Sequence, residues 1–128
     1  MTKVYRYEFE SEFESLEIYD GPYTVDTNAP GMDDINTLQD EICNSHSSTK
    51  SPNHPGAYID MPNFSCNHYC ACLSIKELTD WFKGYNTRLK KLGFSLVEYE
   101  VKNYIESKSN RQCAFDCDDI INRTVLNI

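Results

Sequence analysis

The chain has 128 residues, 40% hydrophobic and 12% aromatic, which is the size and composition of one globular domain, spanning 1–128, that needs no metal or disulfide to fold. Twenty acidic against twelve basic side chains give a net charge of −8, which sets the chain against nucleic acid phosphates and anionic membranes; its ordinary reading is solubility, and its sharper one attraction to a basic partner surface. No apolar run nears the roughly 18–20 residues of a membrane span. The opening MTKVYRYEFE has neither an apolar h-region nor a cleavage site, so the expectation is a cytoplasmic protein with reduced thiols.

From Val4 to Glu10, Tyr5, Tyr7 and Phe9 alternate with Val4, Arg6, Glu8 and Glu10, a period of two that predicts a strand. Glu8, Glu10, Glu12, Glu14 and Glu17 then form the densest acidic stretch, and a face for a basic partner is expected there. Asp20-Gly21-Pro22 predicts a turn, because glycine tolerates positive φ and proline fixes its own, with a second extended piece from Tyr23. Ile35, Leu38 and Ile42 fall at helical spacing behind Asp33 and Asp34, predicting a short helix over about 33–43. Residues 44–57 are rich in Ser, Asn, Pro and Gly and read as a long loop carrying His46 and His54.

CNHYCAC, residues 66–72, concentrates three cysteines and a histidine. On an extended chain Cys66, His68, Cys70 and Cys72 share a face at about 6–7 Å spacing, too far for neighbouring ligands that must lie within roughly 4 Å to share a zinc ion. A composite site joining Cys43 and His46 to this strand is the metal alternative. Small buried thiols under the next helix are the ordinary one.

Ser74 and Glu77 fit a capping box, and Ile75, Leu78, Phe82, Tyr85, Leu89 and Leu92 make one apolar stripe ending at Gly93. They predict a single long helix over about 75–92, its interior Gly84 offset by the stripe. FSLVEYEV alternates as a strand, RQCAFD reads as its hairpin partner, and the tail from Asp118 is a final strand or short helix. The expected class is α+β with mostly antiparallel strands.

The landmarks VYRYE, DGPY, HPGAYID, CACLSIKELTDWF, LGFSLVEYEV and RQCAF, between Val4 and Phe115, resemble small phage-encoded proteins whose order of elements is similar to the ADP-ribosyltransferase-like fold. The resemblance implies NAD or a related nucleotide as ligand. It implies that Arg6 reaches the phosphates, Tyr23 stacks on a base, Ser74 takes the place of the family's serine or threonine, and His54 serves as acid, base or anchor. Each also has an ordinary reading: Arg6 paired with Glu8 or Glu10, Tyr23 in the core, Ser74 as a cap, His54 solvated. The chain departs from the family at the late-strand glutamate. Gln112 stands there, able to bond ribose hydroxyls but without the charge that stabilises a ribosyl cation, leaving Glu100 or Glu106 as substitutes.

Two functions follow. One is NAD-directed transfer of ADP-ribose to a host protein, with Arg6, Tyr23 and Ser74 binding and Gln112, Glu100 and His54 catalytic. The other is a non-catalytic acidic inhibitor of a host defence or nucleic-acid-handling protein, of anti-CRISPR or anti-restriction type, in the host cytoplasm. A zinc-dependent regulator ranks last, and no G-x-S-x-G, P-loop, G-x-G-x-x-G or H-E-x-x-H motif occurs.

Overall fold

The computed structural model describes residues 1–9, 20–24, 31–47 and 53–127. In chain order these form β1 (Thr2–Phe9), α1 (Asp33–Ser45), α2 (Ala57–Asp60), β2 (His68–Ala71), α3 (Ile75–Trp81), α4 (Asn86–Lys91), β3 (Phe94–Val101), β4 (Ile105–Glu106), β5 (Cys113–Asp116) and β6 (Ile120–Leu126). The class is α+β, as expected, with two antiparallel three-stranded sheets in the orders β1-β3-β6 and β2-β5-β4.

Alternation along β1 and β3 divides the interior in two. Tyr7, Phe94 and Leu96 face α1, α3 and α4, meeting Ile35, Leu38, Ile42, Leu78, Phe82 and Leu89. Val4, Val97, Tyr99 and Val101 turn to the second sheet, meeting Ala71, Cys113 and Phe115. The first sheet is therefore the middle layer, with apolar residues on both faces. At its edge, Tyr5 and Cys72 exchange both backbone bonds at 2.8 Å, and Phe9 N–H donates to the Asp20 carbonyl at 2.8 Å. These two bridges tie the end of β2 and the 20–24 turn to β1.

Several expectations change. The helix expected over 75–92 is two, because Gly84 adopts φ +91° and Phe82–Tyr85 forms a turn. Asn86 secures the break: its Nδ2 donates to the Thr79 carbonyl at 2.9 Å and its Oδ1 accepts from the Tyr7 hydroxyl at 2.7 Å. One continuous apolar stripe thus spans two short helices, which is why the spacing could not reveal the break. FSLVEYEV pairs with β1 on one side and with the tail, β6, on the other, whereas CAFD of the expected hairpin pairs with β2 and β4. The helix expected over 33–43 is α1, which runs on to Ser45. The predicted turn is present, with Thr24 N–H bonded to the Gly21 carbonyl at 3.1 Å, but Tyr23 belongs to it rather than to a strand. The acidic segment from Glu10 to Glu17 lies outside the described residues.

Candidate functional site

A mostly apolar cavity of about 450 Å³ lies along the β1 edge near the two bridges. Its walls come from β1, the 20–24 turn, His46, the 54–57 segment, β2 and α3. At one end is Arg6. Its guanidinium lies 5.3 Å from the Tyr69 ring centroid, and its Nε is 3.3 Å from Glu8 Oε2. Gly21 makes room for it: a Cβ there would sit 3.0 Å from Arg6 Nη2. Glu8 is completely buried and also accepts from Tyr99 Oη at 2.7 Å and from Arg123 Nη2 at 2.8 Å and Nε at 3.2 Å. Two guanidinium groups thus share one buried carboxylate. Asp20 joins the lining beside Gly21.

Much of the lining is aromatic or imidazole. His46 and His54 stack at 3.6 Å between centroids and 10° between planes, and Trp81 stands edge-on to both. Trp81 Nε1 donates to Tyr23 Oη at 2.7 Å, and Tyr23 Oη lies 2.6 Å from His46 Nδ1. His54 Nε2 is 2.7 Å from the Trp81 carbonyl, which can only accept, so that nitrogen carries a proton. Burial and the neighbouring His54 push the His46 pKa down to about 4, and burial raises that of Tyr23. At neutral pH His46 is uncharged and Tyr23 keeps its proton.

The 54–57 wall is held from behind. Asp60, nearly buried at the end of α2, accepts from Ser109 N–H at 2.8 Å, Ser109 Oγ at 2.6 Å and Gln112 Nε2 at 2.9 Å. Gln112 Nε2 also donates to the Pro55 carbonyl at 3.0 Å. Burial alone would raise the Asp60 pKa, but the bonds from Ser109 and Gln112 outweigh it and hold the carboxyl below its usual range.

Of the residues singled out in the sequence, Arg6, Tyr23, His54 and Gln112 line this cavity. Ser74 does not: its Oγ accepts from Glu77 N–H at 3.1 Å as the α3 cap. Glu100 lies on β3 opposite Lys3 and Asn122, and Glu106 is exposed on β4, so neither reaches the cavity. Glu8, expected on a partner-binding face, is interior. The composite metal site is not assembled. Among the described residues the group of three ligand atoms close enough to share an ion is Asp116, Cys117 and Asp118, on the surface, and the six cysteines are free. Sequence reasoning missed Asp20, Asp60 and Trp81, and weighed His46 only as a metal ligand. The spacing holds no signal that joins His46, just past α1, to Trp81 at the end of α3.

No described helix is long and apolar enough to cross a membrane. A family model described as Bacteriophage T4 Y00F protein matches residues 1–127, and the chain belongs to that family. No curated protein and no solved structure matches it. The family bears out the phage part of the resemblance and not the ADP-ribosyltransferase part.

Proposed function

We propose that this phage protein binds a nucleoside phosphate, NAD or a related nucleotide, in the cavity along β1. The observation that carries the reading is the convergence of Arg6, Asp20 and an aromatic wall of Tyr23, His46, His54 and Trp81 on one space. A guanidinium suits phosphate oxygens, a carboxylate accepts from ribose hydroxyls, and stacked aromatic groups suit a base. The volume, about 450 Å³, falls within the range of small-molecule sites, roughly 300–1,000 Å³. The proposal stops at binding, since Glu100 and Ser74 stand elsewhere and Gln112 is engaged by Asp60 and Pro55.

Trp81 is the chain's one tryptophan, so its fluorescence reports on the cavity directly. Titration with NAD, ADP-ribose and nicotinamide mononucleotide is expected to give a saturable change that Arg6→Ala weakens about tenfold, the scale of one charged hydrogen bond. No saturable change with any of the three at millimolar concentration rejects the reading.

A second reading, the acidic inhibitor of a host protein, is favoured by adjacent apolar residues on α2. Tyr58 and Ile59 are 68% and 71% exposed on a chain of net charge −8. It requires salt-sensitive capture of one host protein that Tyr58→Ala with Ile59→Ala abolishes. Capture unaffected by those changes removes this form of the idea.

A further inference from the structure

The hydrogen bonds around Tyr23 fix the place of one proton. The Trp81 indole can only donate, and it donates to Tyr23 Oη at 2.7 Å. Tyr23 therefore receives one proton, and its own goes to the acceptor 2.6 Å away, His46 Nδ1. A neutral imidazole that accepts at Nδ1 carries its proton on Nε2. The His46 ring borders the cavity, one face lies against His54, and the Tyr23 and Trp81 side is taken. Nε2–H, across the ring, has no hydrogen-bond partner among the described residues.

Resting on the nucleotide reading above, we propose that His46 is the specificity-determining donor of the site. Its Nε2–H bonds an acceptor on the planar part of the ligand, a ring nitrogen or an exocyclic carbonyl oxygen, while His54 beneath it fixes the ring plane. The relay from Trp81 through Tyr23 makes this donor permanent at neutral pH. The site therefore selects bases that present an unprotonated acceptor edge. It discriminates against ligands with a donor there, which would leave two N–H groups facing each other.

The test is nitrogen-detected imidazole NMR on the labelled full chain, before and after NAD. His46 is expected as the Nε2–H tautomer in the free protein, with the Nε2–H proton moving downfield on addition of NAD. Tyr23→Phe is expected to release the tautomer into a mixture, and His46→Phe to weaken NAD about three- to tenfold, the scale of one neutral hydrogen bond. His46 found protonated on Nδ1, or an unmoved Nε2–H in a protein that does bind NAD, overturns the inference and leaves the nucleotide reading standing. Equal NAD affinity in wild type and His46→Phe does the same. Wild-type protein that binds no NAD removes both. The measurement on unaltered protein decides the matter even if His46→Phe does not fold.

Discussion

Replacing Glu8 by glutamine tests how the interior beside the cavity is held. Glu8 is 0% exposed, and both of its oxygens face donors: Arg123 Nη2 and Nε at Oε1, the Tyr99 hydroxyl and Arg6 Nε at Oε2. Glutamine keeps the shape but turns one oxygen into an NH2 group, so whichever way it flips a donor confronts a donor. It also removes the anion shared by two cations, of which the Arg6 side chain is 10% exposed and Arg123 23%. Breaking a buried pair from one side costs about 3–5 kcal/mol, and because Arg123 can relax toward water we expect the lower end, about 3 kcal/mol. With a urea slope of about 1–3 kcal/mol/M, the unfolding midpoint falls by about 1–3 M. Tyr99→Phe, which removes one hydroxyl from the same carboxylate, costs about 1 kcal/mol. Equilibrium urea unfolding followed by far-UV circular dichroism measures both. A loss below about 1 kcal/mol for Glu8→Gln would show that the carboxylate's charge is not what holds the two arginines, and the account of Arg6 as a held cation would fail with it.

Between pH 6.5 and about 4 the unfolded His46 takes a proton that the folded one refuses, so stability falls as pH drops through that window and is unaffected above it. The gap corresponds to about 3.4 kcal/mol at full strength, which the partly exposed ring reduces to about 1–2 kcal/mol. His46→Gln should flatten the urea midpoint across that window, and an unchanged acid limb would locate the titration elsewhere. Asp60→Asn puts an NH2 group against Ser109 and Gln112 and should cost about 2 kcal/mol. It should also speed hydrogen exchange at residues 57–61 and 107–112, and exchange left as slow as in wild type would refute the clasp. Gly84→Ala forces a side chain to φ +91° and should destabilise by about 1 kcal/mol by the same unfolding measurement, whereas a stabilising change would mean that the helix can run through.

The layers were legible where local physics decides them. Alternation in VYRYEF and FSLVEYEV sorted the two faces of the middle sheet correctly, and Ser74 is the cap its spacing with Glu77 implied. Strand partnership was not legible, because alternation says which face a residue takes and nothing about which neighbour a strand chooses. RQCAFD and the tail both fit beside β3, and the bulge between Glu100 and Val101 accommodates the tail. The break at Gly84 was hidden for a related reason, since a helical stripe survives a turn that returns the chain to the same core. In the site, Arg6 and Tyr23 carried chemical signals of their own, whereas Asp60 and Trp81 matter through groups 27 to 58 residues away in the chain. Sequence spacing contains no trace of such distances.

That long-range construction bears on how a ligand would act. The cavity walls belong to stretches that touch only in the folded chain: Arg6 beside Gly21, His46 against His54, and Pro55 tied to Gln112. An unfolded chain offers none of these combinations, so a nucleotide that fills the cavity binds the native state alone. It should stabilise that state by about 2.7 kcal/mol at a hundred times its dissociation constant. Because His54 sits on a segment fixed through Gln112 and Asp60, loosening that clasp should lower affinity without removing any group that touches the ligand. Asp60→Asn is thus expected to weaken NAD binding more than its distance from the cavity suggests, and Trp81 fluorescence measures the affinity. If the variant unfolds more easily yet binds NAD as tightly as wild type, the 54–57 wall holds its shape without the clasp, and the coupling between the β4–β5 connection and the cavity is refuted.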